Sequence, residues 1–161
     1  MSTNTVYIGL GSNLSNPVEQ LNTAMKSIAL MPFTQLIKRS SFYSSKPLGP
    51  QDQPDFINAV CEIETELEAE DLLKRLQTIE LEQGRIKKRH WGERLIDLDI
   101  LLFGNNLINS KDLVVPHSQI ALRDFVLIPL SEIAPGLVIP NKGKVENLIS
   151  TLTDSYLMPL G

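Results

Sequence analysis

The stretch Leu95-Ile-Asp-Leu-Asp-Ile-Leu-Leu102 constrains this chain more than any other. A strand turns successive side chains to opposite faces. Ile96, Leu98, Ile100 and Leu102 are therefore expected on a core face, with Asp97 and Asp99 together on the other. Their Cα atoms would stand roughly 6.5–7 Å apart. Two carboxylates side by side repel, which disfavours a sheet. A divalent cation between them removes that penalty, and an oxygen-only donor set suits magnesium, which also takes phosphates and water. The competing view is a solvated strand face with two ordinary acids.

Charge is segregated around this strand. Residues 61–84 carry eight acidic and two basic residues, net −6. Residues 85–94 carry Arg85, Lys87, Lys88, Arg89 and Arg94 against Glu93, net +4. A cationic loop running into a metal-binding face suits a polyphosphate: arginine grips phosphate in bidentate fashion and lysine adds point charge. A solvated loop of incidental charge is the alternative. Trp91 and Gly92 lie within it, as a core anchor or as part of a closing lid.

Hydrophobic periodicity sets the frame. Thr5 to Gly11 reads as a strand followed by a polar turn, and Gly9-Leu-Gly11-Ser-Asn13 as a turn needing small residues. No Gly-Lys-Ser/Thr phosphate loop is present. Asn16 is expected to cap a helix opened by Pro17, with Glu19 reaching back and Val18, Leu21, Met25 and Ile28 on one face. Leu36 to Tyr43 reads as one strand. Lys46 to Pro54, with three prolines and a glycine, is a stiffened loop. Phe56 to Thr65 is a strand with Phe56, Asn58 and Val60 on one face and Ile57, Ala59, Cys61 and Ile63 on the other. Ala69 to Gln83 is a helix stopped by Gly84. Gly104-Asn-Asn106 should turn the Asp-bearing strand into a partner near Leu107 to Asn109. Helices are expected around Asp124 to Ile133 and Val145 to Leu152.

Two strand-helix-strand units predict an α/β (α+β) fold: a ferredoxin-like, mainly antiparallel sheet with helices packed on it. At 161 residues the chain suits one domain, residues 1–161. Its single cysteine, Cys61, reads as a core residue. No signal segment or membrane span is visible, so a cytoplasmic location is expected; the chain is separately expected to act as a monomer. The net charge of −4 excludes a general polyanion binder. A ferredoxin-like RNA-binding module is the rival class, and the two aspartates on its binding face speak against it. His117 and Arg123 are open between phosphate contact and local structure, and Phe56 and Phe125 read as core. Residue chemistry alone stops at a magnesium- and polyphosphate-handling domain.

Several blocks together go further. His90-Trp-Gly-Glu-Arg-Leu-Ile-Asp-Leu-Asp-Ile-Leu101 and Pro47-Leu-Gly-Pro-Gln-Asp-Gln-Pro-Asp-Phe-Ile-Asn58 resemble the signatures of the 6-hydroxymethyl-7,8-dihydropterin pyrophosphokinase family. Gly11-Ser-Asn-Leu14, Ile79-Glu80 with Gly84-Arg85, and Val115-Pro-His117 with Arg123 follow in order. The resemblance implies transfer of the terminal pyrophosphate of ATP to a reduced pterin alcohol in folate biosynthesis. It implies two magnesium ions at Asp97 and Asp99. It implies Arg85 and Arg94 as catalytic phosphate contacts, and Gln77, Glu80, Lys87, Trp91, Ile100, His117 and Arg123 as further ATP contacts. For the pterin it implies Phe56 and Phe125 as the stacking pair and Asn58, Ser45 and Leu48 at the ring edge. Trp91 and Asp97 adjoin the pterin as well.

Overall fold

The computed structural model describes residues 3–13, 16–45, 54–83, 96–118, 120, 124–152 and 157–159. The basic segment 85–94, Leu48 and Arg123 lie outside the described residues.

Strand β1 spans Asn4–Ser12 and leads to helix α1, Pro17–Ala29. Strands β2, Thr34–Arg39, β3, Tyr43–Ser45, and β4, Phe56–Thr65, follow. Helix α2, Ala69–Glu82, then precedes β5, Asp97–Phe103. The chain continues through β6 (Ile108–Asn109), β7 (Val114–Val115) and α3 (Asp124–Ile133). It ends with β8 (Val138–Ile139), β9 (Gly143–Lys144), α4 (Val145–Ser150) and β10 (Leu157–Pro159). The main sheet runs β10-β3-β4-β1-β5, with β2 also on β4, and every pairing is antiparallel. The β1-α1-β2-β4-α2-β5 core is the expected ferredoxin-like arrangement.

The two sheet faces bury different things. Val6, Ile8 and Leu10 of β1, Ala59, Cys61 and Ile63 of β4, and Ile96, Leu98 and Ile100 form one core. Leu21, Ala24, Met25 and Ile28 of α1 and Leu72, Leu76 and Ile79 of α2 pack on it. On the opposite face Tyr7, Val60, Leu101 and Leu102 pack under Val126, Leu127, Leu130 and Ile133 of α3. Each fully buried aliphatic side chain contributes roughly 1.5–3 kcal/mol, so both clusters hold the sheet flat against its helices.

Four local expectations are corrected. Leu102 does not share the face of Ile96, Leu98 and Ile100. The β1–β5 register shifts between Tyr7 and Ile8, leaving Leu101 unpaired as a bulge, and this turns Leu102 into the α3 cluster. Leu36 to Tyr43 is not one strand. At the break the Ser40 N–H donates to Val60 O (2.8 Å), while Ser40 Oγ accepts from the Val60 N–H (2.9 Å), so a side chain takes over the ladder. The residues after Gly104-Asn-Asn106 pair with β7 rather than with β5. Pro17 does open α1, but Asn16 sits in the left-handed region (φ 62°, ψ 70°) and its side chain makes no cap. A left-handed backbone turns the carboxamide away from the helix N–H groups it was expected to meet.

The C-terminal strand β10 has no counterpart in the hydrophobic pattern. It pairs Leu157 with Ser45 and Pro159 with Tyr43. A proline is tolerated on such an edge because no inner neighbour needs its N–H.

Candidate active site

Registry brings the site together across three strands. Asp97 of β5 pairs with Gly11 of β1, and Gly11 pairs with Asn58 of β4. In the next row Asp99 pairs with Gly9, and Gly9 with Val60. Asp97 and Asp99 do share a face, the one opposite the α1–α2 core. Asp97 is half-buried and Asp99 exposed. The bulge at Leu101 ends this polar patch and begins the apolar part of the same face under α3.

Gly9 and Gly11 lie on β1, within the strand expected from Thr5 to Gly11, so the turn also read into Gly9-Leu-Gly11 is not found there. Their role lies in what they omit. A Cβ on Gly9 would stand 3.3 Å from Leu101 Cδ2, and one on Gly11 would stand 3.4 Å from Asn58 Oδ1 and 3.8 Å from Phe56 Cδ1. Gly9 makes room for the Leu101 side chain that covers it, whereas Gly11 leaves a low floor between Asp97 and Asn58, where a ligand can lie close to the backbone.

The carboxamide end of this floor is built with care. Asn58 is 5% exposed, and its Nδ2 donates to Ser45 Oγ at 2.7 Å. Ser45 pairs with Phe56, so Phe56, Asn58 and Ser45 form one group on β3 and β4. The buried Asn13 donates from Nδ2 to Pro54 O (3.0 Å), fastening the end of β1 to the start of β4. Asn13 was not singled out from the sequence. Its place in Gly11-Ser-Asn-Leu14 was the available signal.

The carboxylate end is held from outside the sheet. Among the described residues, β1 is the one sheet neighbour of β5. Glu80 of α2, only 8% exposed, accepts from the Leu98 N–H at Oε2 (2.8 Å), between the two aspartates. The His117 N–H donates to Leu101 O (3.0 Å), at the bulge. Glu80 and His117 thus brace β5 through its backbone. Gln77 lies exposed one turn before Glu80. The Ile100 side chain belongs to the α1–α2 core. Phe125 is the second residue of α3. Arg85, Lys87, Trp91, Arg94, Arg123 and Leu48 lie outside the described residues.

The donor set fits magnesium better than a closed metal cage. Among the described residues no group of three or more His, Cys, Asp or Glu side chains could hold an ion unaided. Two carboxylates on an open floor leave room for water and phosphate oxygens, the partners magnesium prefers.

With this geometry in view, a family model described as 7,8-dihydro-6-hydroxymethylpterin-pyrophosphokinase (HPPK) matches residues 7–135. The chain belongs to this family. It is 53% identical over 156 residues to the 2-amino-4-hydroxy-6-hydroxymethyldihydropteridine pyrophosphokinase of Haemophilus influenzae, covering 97% of this chain and 98% of that one. The Pseudomonas aeruginosa protein of the same name is 47% identical over 145 residues, covering 90% of each. Among solved structures, an HPPK-DHPS in complex with substrates superposes with a TM-score of 0.72 at 13% identity over 92% of this chain. The Plasmodium falciparum HPPK-DHPS with pteroate gives 0.74 at 13% identity, also over 92%. This chain spans 43% and 42% of those two chains. At such identity the structural likeness speaks to the fold: the HPPK domain is ferredoxin-like, as found here. No described helix is long and apolar enough to cross a membrane.

Proposed function

We propose that this chain transfers the terminal pyrophosphate of ATP to the hydroxymethyl group of 6-hydroxymethyl-7,8-dihydropterin, yielding AMP and the pterin diphosphate for folate biosynthesis. The observation that carries this reading is the row Asp97–Gly11–Asn58, which sets carboxylates and a fixed carboxamide at opposite ends of one bare floor. Adjacent strands are about 4.8 Å apart, so the two ends are separated by roughly 10 Å, a span suited to a flat bicycle plus its hydroxymethyl arm.

The pterin ring edge meets Asn58, Ser45 and Leu48, and its faces lie between Phe56 and Phe125. A flat heteroaromatic gains from a π-face on each side. Asn58 is ready for this task because Ser45 Oγ fixes its Nδ2, which sets the direction of Oδ1. Held so, the pterin points its hydroxymethyl group along the floor toward Asp97, and Trp91 closes over both substrates.

The triphosphate lies over Asp97 and Asp99. Arg85, Lys87, Arg94 and Arg123 supply cations for its oxygens, His117 supplies a further hydrogen-bond donor, and Gln77, Glu80 and the backbone at Ile100 line the nucleotide side. The alcohol oxygen bonds to the β-phosphorus, the bond from that phosphorus to the α-phosphate oxygen breaks, AMP leaves, and the hydroxyl proton is released. Asp97 and Asp99 would hold two magnesium ions, which when bound neutralise phosphate charge and favour ionisation of the attacking hydroxyl. The chain's own part is positioning and charge: Arg85 and Arg94 balance the negative charge moving onto the leaving phosphate. The protein acts as a cytoplasmic monomer of one domain.

Incubation with ATP, magnesium and the pterin alcohol, followed by separation of the nucleotides, tests the reaction. AMP is expected in step with the pterin diphosphate. ADP as the product would reject pyrophosphoryl transfer.

A further inference from the structure

The C-terminal turn of α3 is fastened to the sheet by one exposed carboxylate. Glu132 accepts from the Ser41 N–H at both oxygens (3.0 Å each), from Ser41 Oγ at Oε2 (2.8 Å) and from Tyr43 Oη at Oε1 (2.7 Å). Burial alone would raise the Glu132 pKa. The hydrogen bonds from Tyr43 and Ser41 outweigh it and hold the carboxyl below its ordinary range. Beside this clamp Lys38 Nζ lies 3.4 Å from Ile133 O, a cation at the negative end of the helix.

What Glu132 grips leads straight to the substrate floor. Ser41 follows Ser40, which is wired in both directions to Val60 of β4. Tyr43 pairs in register with Asn58, and Ser45, two residues on, accepts from Asn58 Nδ2. At its other end α3 carries Phe125, seven residues before Glu132 and so roughly 10 Å along the helix. Pro129 lies between them and cannot donate to the Phe125 carbonyl. The first turn of α3 therefore lacks one of its own bonds, which leaves more of its placement to the helix's attachment on β3 and β4.

We propose that Glu132 is a positioning residue for the pterin slot: by clamping α3 to Ser41 and Tyr43 it sets where the N-terminal end of that helix, which carries Phe125, stands relative to β3 and β4. The inference rests on the pterin assignment made under Proposed function. The clamp is made of hydrogen bonds at an exposed carboxylate, where water competes for each partner. A clamp that joins both walls of a slot has a further consequence, because losing it widens the slot without unfolding the protein.

The test compares Glu132→Ala, Glu132→Gln, Tyr43→Phe and Asn58→Ala by steady-state kinetics in both substrates. Loss of hydrogen bonds to a charged group predicts that Glu132→Ala raises the pterin KM about tenfold. The ATP KM should stay within about twofold of wild type, far below a tenfold loss of affinity. Glu132→Gln keeps one carbonyl acceptor and should recover most of the effect, and Tyr43→Phe should fall between. If Asn58→Ala raises the pterin KM and Glu132→Ala does not, the inference is overturned and the pterin site stands. Equal losses for both substrates would mark Glu132 as merely structural and would also overturn it. If Asn58→Ala leaves the pterin KM unchanged, the assigned pterin site itself fails, and the inference with it.

Discussion

The two faces of the central strands follow the same alternation and serve opposite ends. On one face Val6, Ile8, Leu10, Ala59, Cys61, Ile63, Ile96, Leu98 and Ile100 are buried under α1 and α2. On the other, one end carries Gly11, Asn58, Asp97 and Asp99, while Gly9, Tyr7 and Val60 run into the apolar patch under α3. The first set is apolar and packed, and its cost when altered is stability. The polar end of the second is bare, acidic and amide-bearing, and its cost when altered should be turnover. Edge groups couple the two. Glu80 reaches the Leu98 backbone from the core side, so the strand that carries the aspartates is steadied by the layer that folds the protein.

The widest break in this comparison is a paired one. Asp97→Ala with Asp99→Ala should lower AMP-forming turnover about a hundredfold or more, with the circular dichroism spectrum unchanged. Retained turnover would remove the carboxylates from the site. Ile63→Ala, on the same sheet but the fully buried face, should do the reverse. Urea unfolding should show a loss of about 2–5 kcal/mol, with kcat of the folded fraction close to wild type. A large kcat loss there would mean that the two faces are not separable.

A smaller effect separates the polar floor from its apolar continuation. Burial first, then hydrogen bonding to Glu62, raises the Tyr7 hydroxyl from 10.0 to about 12, and burial, then Glu132, does the same for Tyr43. Both folded pKa values lie above the unfolded one, so their stabilisation is fully present below pH 10 and lost as pH rises through about 12. An ultraviolet titration should place both tyrosinates near the upper value, and Tyr43→Phe should remove one of the two late transitions. Ionisation of either tyrosine near pH 10 in the folded protein would contradict the packing described for it.

Much of this was legible from residue order, and the exceptions have physical causes. Phe56–Thr65 and the faces of β4 follow from plain alternation, and Asp97 with Asp99 fall on one face for the same reason. Leu102 could not be read this way, since the Leu101 bulge depends on the β1 partner and breaks the period of two. The break at Ser40 arises from a side chain bonding a strand twenty residues away. β10 is three residues long and is defined by its pairing with β3. Gly9 and Gly11 invite a turn locally and acquire their meaning from Leu101 and Asn58 across the sheet. Glu132 meets Ser41 over 91 residues of chain, beyond any local pattern. The chemistry of the basic segment was legible from composition, whereas its geometry lies outside the described residues.

Centrally, both substrates are expected to meet on the floor at Gly11, between Asp97 and Asn58. A crystal structure with a non-hydrolysable ATP analogue, magnesium and the pterin alcohol tests it most directly. The account predicts the pterin against Phe56 and Asn58 and the phosphates over Asp97 and Asp99, with the hydroxymethyl oxygen facing the β-phosphorus. A second concavity of about 730 Å³ lies on the other side of the molecule, where Met31 and Pro32 after α1 face Asp71, Lys74 and Arg75 of α2. Substrate density there, with the floor of β1 empty, would contradict it.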